Sequence, residues 1–592
     1  MFGYNMLSLA RLLFPVPLLF VAVNRITSPL VVAIVVAVAL LPIIFPGKML
    51  GRKPGTFYFS GALILFVIGA VIGVLVSYNP LESLPLFLTI LGSISLMFVV
   101  ANPTLSPSVI TKTVVAAGLL FALYFATQYA HFSYPLENGR VATIARAISS
   151  IFPAFVIFTP HPNAAATFLE GIFFLTLGLI HFEQKRSRLW VLVLIPVAYG
   201  LFISDSRGAA LGISLGLGLW AFLHAPSAWR PPLAMIGGSL LGAIGAALLS
   251  TFFVRNSVVS PVVAWAIHGF GGRYALYRNS IELLRDYLFT GAGLGNAFAM
   301  VYSRYQLLID VPFLYYAHNL PLAVWLGQGL LGIIGLVWLV VRFVGLVWKV
   351  ERYVPHNPHR RLFRAAWLGV TATLTHGLFD AAQYSPDYWT MPLLFVLLGL
   401  TVVLARRALR LLPDGTSGEN DIDIRWKLAA GAAILMLAIA FSPKIVSQWQ
   451  VNIGALYQTV GELAPDDRRL PRVIALARAK QIFEAVLSIQ PENSVANRRL
   501  GMMALDAGEF SLARGYLETA YRHEPYNQPT LKALGYAYLW TGDFQHAQEM
   551  FRQVEFRSRL LDELRYYSQY WASRHQDEFA AAAGQMVKRL RH

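Results

Sequence analysis

One histidine and a set of arginines stand at positions where apolar stretches begin or end. His318 and Asn319 open a run that reaches Val341 without a formal charge, long enough to cross a bilayer. Asn319 suits a helix N-cap, where its side chain can accept from an orphan backbone N–H. A histidine directly before it has no such explanation. Arg207 separates two apolar stretches in ISDSRGAALG, and Arg273 and Arg278 lie in GGRYALYRNSIELLRDYLFTGAGLGNAF. An arginine at a membrane boundary is expensive unless paired or solvated, and its planar fork matches phosphate oxygens. A neutral imidazole can take up a proton near physiological pH. Three arginines and one histidine therefore point to group transfer: cations for a pyrophosphate, a base for an acceptor hydroxyl. THGLFD adds His376 and Asp380, four apart and expected on one helix face near its outer end.

Each residue also has a plainer reading. Arg207 can snorkel at a boundary. Arg273 and Arg278 can pair with Glu282 or with lipid headgroups. His318 can be an interfacial histidine, and His376 and Asp380 can bond one another. Asp205, Glu282 and Asp310 are scattered and form no paired motif, and the sequence offers no metal-ligand cluster. GAGLGNAF follows no strand and opens no βαβ unit, so its glycines are expected to serve a tight turn rather than a dinucleotide.

The elements that must hold these residues are membrane helices. The chain has 592 residues, 56% of them hydrophobic and 13% charged, with a formal net charge of +17 and no cysteine. Disulfides, thiolate chemistry and Cys-based metal sites are excluded. The positive balance reflects cytoplasmic Lys/Arg loops and lipid contact, so nucleic acid is not implied. Thirteen apolar spans are expected, near 6–23, 29–46, 57–77, 84–101, 109–130, 163–182, 189–204, 207–223, 232–253, 319–341, 362–381, 388–405 and 427–446. The first is read as a retained helix rather than a cleaved signal. Lys/Arg placement favours a cytoplasmic N-terminus. Five of the basic residues left on the outer side then fall in one loop, 254–318. Binding an anion is one reason for them to be there.

Beyond residue 450 the apolar runs stop. Pro491, Gly501, Gly508, Phe510 and Ala513 recur as Pro525, Gly535, Gly542, Phe544 and Ala547, each at an offset of 34. That is the period of the tetratricopeptide repeat, a helix–turn–helix unit whose stacks bind peptides or proteins. The fold class is therefore all-α: a polytopic helix bundle of about 12–13 spans over 1–450, including the outer loop, with a solenoid of tetratricopeptide type over 451–592.

The order of the pieces resembles a known family. Ser206-Arg207-Gly208-Ala209, then Arg273, then Gly291-Ala292-Gly293-Leu294-Gly295-Asn296, then His318-Asn319 opening an apolar helix through Gly332, is similar to the O-antigen ligase/polymerase/O-oligosaccharyltransferase superfamily. The likeness covers about 190–400, and several members carry C-terminal tetratricopeptide repeats. It implies a GT-C-like, inverting, metal-independent glycosyltransferase, without cofactor, on the outer face of the cytoplasmic membrane. It further implies a polyprenyl-diphosphate-linked glycan donor, with undecaprenyl diphosphate as the carrier, and a glycan, lipid or protein acceptor. Membrane lipids surround the bundle, and the repeats would take a protein partner. The resemblance assigns His318 to the acceptor hydroxyl and Arg207 and Arg273 to the diphosphate. Arg278 is added to these from its place in the loop. Asn319, Tyr277, His376 and Asp380 are expected to support the site. Tyr277 stands four past Arg273, where the family often has Trp. A polymerase of lipid-linked repeats and a protein O-oligosaccharyltransferase stay open as alternatives. Outside the class, a glycolipid transporter or scaffold remains, although the inverted repeats and midplane charges usual in transporters are not seen.

Overall fold

A computed structural model describes residues 59–132, 139–229, 231, 232, 235, 273–309, 314–355, 357–385, 389–409, 431, 442–465, 471–555 and 557–591. The expected spans at 6–23, 29–46, 232–253 and 427–446 lie largely outside these residues, as does Asp310. The fold among the described residues is all-helical.

The first group of helices forms the membrane bundle: α1 (Ser60–Val76), α2 (Pro80–Val100), α3 (Pro107–Gln128), α5 (Pro162–Phe182), α6 (Ser187–Ile203), α7 (Arg207–His224), α10 (Leu320–Tyr353), α11 (Pro358–Gly377) and α12 (Met391–Leu409). Among the described residues six helices are long and apolar enough to cross a membrane, at Pro80–Val100, Pro107–His131, Pro162–Phe182, Gln184–Ile203, Leu320–Tyr353 and Met391–Leu409. This is a multi-pass arrangement. One apolar core joins residues of α1, α2, α3, α5, α6, α10, α11 and α12. Helix α11 carries Arg360, Arg361 and Arg364 at its start, so it is less apolar than its neighbours, yet it packs closely on α5, α7 and α12.

Helices α10 and α11 form a hairpin, and its two ends differ. At one end Glu351 accepts from Arg360 Nη2 at 2.8 Å and Arg364 Nη2 at 2.8 Å, which pins the turn. The other end carries His318 and Asp380. Helix α1 lies against α10 through small residues. A Cβ on Gly69 would stand 2.6 Å from the Gly332 amide, and one on Gly335 would stand 2.6 Å from the Phe66 amide. Small residues allow such close backbone approach, as between membrane helices generally.

The loop before His318 is not featureless among its described residues. It contains α8 (Arg273–Asp286) and α9 (Ala297–Tyr305), and the connection between α3 and α5 contains α4 (Arg140–Ser149). All three are short and amphipathic, without the apolar length that reveals a span. The glycine turn between α8 and α9 inserts toward α10. Gly291, Gly293 and Gly295 have φ of +71°, +121° and +73°, a region open chiefly to glycine. The Ala292 amide donates to Leu326 O at 2.7 Å and the Leu294 amide to Gly73 O at 2.9 Å. Gly329 breaks the helical geometry of α10 at φ +66°, and the Leu330 amide turns to Phe289 O at 2.9 Å. The expected tight turn is present, and it locks the loop to α1 and α10.

The C-terminal part begins with α13 (Ser442–Leu463) and continues as α14 (Arg472–Ile489), α15 (Ser494–Asp506), α16 (Phe510–His523), α17 (Gln528–Trp540), α18 (Phe544–Arg552), α19 (Arg557–Ser573) and α20 (Asp577–Arg591). The period in sequence becomes a period in geometry. Asn493 caps α15 and Asn527 caps α17. Gly508 and Gly542 make the turns at φ +79° and +81°. Gly501 lies against Leu517 as Gly535 lies against Phe551.

These helices grip the loop that carries α8 and α9. Asp286, fully buried at the end of α8, accepts from Arg498 Nη2 at 2.5 Å and Arg499 Nε at 2.7 Å. Arg498 lies over the Tyr305 ring at 4.7 Å. Arg285 pairs with Glu524 at 2.8 Å, and Arg304 pairs with Glu462 at 2.7 Å and also with Asp506. Asn452 Oδ1 accepts from the amides of Phe289 and Thr290 at 2.9 and 3.2 Å. The loop is thus held between bundle and repeats, on the side where His318 lies.

Candidate active site

The His318 backbone sits at φ +49°, in the left-handed region that non-glycine residues seldom occupy. Such strain persists where surroundings over-determine it. Here the Tyr277 hydroxyl stands 2.8 Å from His318 O and 3.0 Å from Phe379 O, and Asn319 caps α10 by accepting from the Leu322 amide at 3.0 Å. Asn319 Nδ2 donates to Leu378 O at 2.8 Å. The side chain that explained the cap also joins the two ends of the α10–α11 hairpin. Tyr277 serves as a tie between α8 and both turns. Burial pushes its phenol well above the ordinary range, with Arg273 opposing, so it stays a donor.

Asp380 is the centre of the site. It is only 1% exposed and collects four groups. Its Oδ1 stands 3.2 Å from His318 Nδ1 and accepts from the Tyr316 hydroxyl at 2.9 Å. Its Oδ2 accepts from Arg273 Nη2 at 3.1 Å and from Asn163 Nδ2. Burial pushes this carboxyl up, but the His318 hydrogen bond and the Arg273 charge outweigh it and hold the group well below the ordinary carboxylate range. A carboxylate at Nδ1 fixes the imidazole in the form that carries its proton there. The Nε2 lone pair is then the one available as a base, on a side chain that is 20% exposed.

Arg273 begins α8. Its Nη1 donates to Phe379 O at 2.6 Å while Nη2 holds Asp380. Arginine has five N–H donors, so these contacts leave donors for an anion beside the His318–Asp380 pair. Arg207 begins α7 and is exposed at the helix N-terminus, where the backbone dipole also favours an anion. The turn before it holds Asp205 at φ +49°. Arg278 is directed elsewhere: its Nη1 pairs with Glu555 of the repeat region at 2.6 Å. Glu282 pairs with Arg285 at 2.9 Å.

His376 and Asp380 do not share a helix face. Helix α11 ends at Gly377, because the Leu378 and Phe379 amides turn back to Thr375 O and His376 O in a tightened last turn. Asp380 therefore points to His318, while His376 points into the bundle. There its Nδ1 stands 3.2 Å from Thr167 Oγ1 and 3.3 Å from Glu170 Oε2, and its Nε2 stands 3.2 Å from Ser206 Oγ.

The structure thus brings together His318, Asp380, Arg273, Tyr277 and Asn319, sets His376 behind them, and turns Arg278 toward the repeats. Sequence reasoning missed Asn163, Tyr316 and Glu170. Glu170 carried a usable signal, since it is the lone acid in the apolar span 163–182. Asn163 and Tyr316 carried none, being ordinary polar residues at segment ends.

Residues 191–337, about a quarter of the chain, match the family model described as O-antigen ligase. No curated protein matches the chain. The matched segment holds Arg207, Arg273, the glycine turn and His318, so it is through the site region that the chain is similar to the O-antigen ligase family.

Proposed function

We propose that this multi-pass membrane protein moves a glycan from a polyprenyl-diphosphate carrier to an acceptor hydroxyl at the outer face of the cytoplasmic membrane. The observation that carries the reading is the shared carboxylate: Asp380 holds the base His318 on one oxygen and the cation Arg273 on the other. His318 Nε2 takes the proton of the acceptor hydroxyl as its oxygen attacks C1 of the glycan. The bond from C1 to the phosphate oxygen breaks, and the polyprenyl diphosphate leaves with the bonding pair. Arg273 and Arg207 carry the charge that develops on it. With nucleophile and leaving group on opposite faces of C1, the configuration inverts. The guanidinium cations take the role a metal would play at the diphosphate, so the step is metal-independent. Fixing both substrates at one membrane surface supplies proximity.

The repeats, which we assign to the tetratricopeptide type, would sit beside the acceptor. Their grip on the outer loop supports this placement, and a protein acceptor or partner is the ligand such stacks favour.

The test is transfer in membranes supplied with a lipid-linked glycan donor. Arg207→Ala, Arg273→Ala and His318→Ala should each abolish transfer, His318→Ala by about 10²- to 10⁴-fold, the usual worth of a general base. Retention of transfer by all three would overturn the reading. A product freed from diphosphate in one step marks a ligase; a ladder still on diphosphate marks a polymerase.

A further inference from the structure

A glutamate and a histidine face each other inside the bundle, away from acceptor and solvent. Glu170 and His376 have no measurable exposure, and their side chains come from α5 and α11. Burying a carboxylate without compensation costs several kcal/mol, so the pair needs a reason. Three connections supply one.

The first runs to α7. His376 Nε2 stands 3.2 Å from Ser206 Oγ, and that oxygen also accepts from the Ala209 amide, making Ser206 the N-cap of the helix that starts at Arg207. Gly208 lies directly on the imidazole, where a Cβ would collide with the ring. The first turn of α7 is therefore built on His376. The second connection runs to the Asp380 turn, whose Phe379 and Asp380 amides donate to His376 O at 2.8 and 2.9 Å. The third runs along α5. Thr167 Oγ1 donates to Asn163 O at 2.8 Å, and Asn163 in turn bonds Asp380.

The hydrogen-bond pattern selects a tautomer. Thr167 spends its proton on Asn163 O, so at His376 Nδ1 it can only accept, and a Glu170 carboxylate, whose Oε2 stands at ion-pair distance of 3.3 Å, favours a proton on Nδ1 as well. Nδ1 must then carry the proton, and Nε2 is left to accept from the Ser206 hydroxyl. Removing Glu170 weakens the preference for Nδ1–H. The Ser206 hydroxyl can then meet an N–H where it met a lone pair, and the cap of α7 loosens.

We propose that Glu170 and His376 are positioning residues for the diphosphate, acting through Ser206 to fix the N-terminus of α7 and the guanidinium of Arg207 in register with Arg273 and His318. This rests on the reading that Arg207 holds the carrier diphosphate. Neither residue touches substrate. Their role is to bind the Arg207 turn and the Asp380 turn to one buried pair.

Undecaprenyl diphosphate, the leaving group, is the probe, because it contains the contacted group whatever the sugar. Its affinity is measured on the full chain in detergent by quenching of intrinsic tryptophan fluorescence. Glu170→Leu removes the acceptor at similar volume and should weaken binding by about tenfold, equivalent to ~1.4 kcal/mol. Glu170→Gln keeps an acceptor for Nδ1–H and should lose less. Ser206→Ala should give the same loss as Glu170→Leu, and the double variant should lose no more than either alone, the coupling expected of one connected path. Thermal midpoints and elution volumes are taken on the same samples. If Glu170→Leu lowers the midpoint yet binds the probe as the wild type does, or if the two losses simply add, the positioning role is wrong. Should Glu170→Leu fail to fold, Ser206→Ala against Ser206→Thr decides, since only the hydroxyl-bearing variant should keep wild-type affinity; equal affinities overturn the proposal. If the wild type does not bind the probe, or Arg207→Ala binds it unchanged, the function reading falls and this inference falls with it.

Discussion

At the scale of single residues, Asp380 does more than any other group. Its low-lying carboxyl gives a stability effect with a definite sign. The folded value lies below the unfolded value, near ~3.9 for an aspartate. The stabilisation is therefore complete above the unfolded value and is lost as pH falls through the folded one. Asp380→Asn removes the charge at every pH. The gap in thermal midpoint between wild type and variant, read by scanning fluorimetry in detergent, should be constant from about pH 6 to 8 and narrow only below about pH 4. The same variant should lose transfer at neutral pH, because an amide need not keep the proton on His318 Nδ1. A gap that closes near neutral pH would mean that some other group, not this carboxylate, carries the effect.

The residue scale also marks what a sequence discloses. His318 was legible because it is a polar residue with no structural excuse at the mouth of an apolar run. Its partner was not. Asp380 lies 62 positions away, and only the α10–α11 hairpin brings the two together. Its spacing from His376 even suggested a shared helix face, since nothing in THGLFD announces that the helix stops at Gly377. Hydropathy located most of the bundle helices, yet passed over α4, α8 and α9, whose stability comes from contacts with partners distant in the chain.

At the scale of elements, the loop that carries α8 and α9 depends on glycines that cannot be replaced. Gly329 has φ +66°, and a Cβ there would run into Phe289 O, at the point where the loop bonds to α10. Gly329→Ala should destabilise the protein by about 1–3 kcal/mol through backbone strain, before the collision is counted. Gly515→Ala serves as the comparison, since nothing lies within 4 Å of its would-be Cβ. In the interior of α16 alanine is the better helix former, so this change should be neutral or slightly stabilising. Chemical denaturation of both variants checks the contrast. The glycine turn was readable as a turn from GAGLGN. That it plugs into a break in α10 was not, because the break depends on Gly329, one of several glycines in that helix.

At the scale of the molecule, α8 connects two regions that the sequence presents as separate domains. One end bears Arg273 at the site, and the other bears Asp286 under the repeats, about 20 Å away at 1.5 Å per residue. Asp286 is buried with two arginines that have 1% and 4% exposure, so it is far from a surface ion pair of little worth. Removing one member of such a cluster strands the others and typically costs about 3–5 kcal/mol. Asp286→Ala should therefore detach the repeats from the loop, seen as a second, earlier transition in thermal unfolding. Because Arg273 and Tyr277 ride on the same helix, transfer should fall as well, although no residue at the site has changed. Glu555→Gln is the milder counterpart. It releases Arg278 from a partly exposed pair, so stability should change by less than about 1 kcal/mol, while Arg278 becomes available to an anion in the loop. Its effect should appear in the salt dependence of donor binding, since a freed cation strengthens attraction at low ionic strength. If Asp286→Ala unfolds in one transition at the wild-type midpoint and keeps full transfer, α8 is not a lever. The repeats would then act on the acceptor alone.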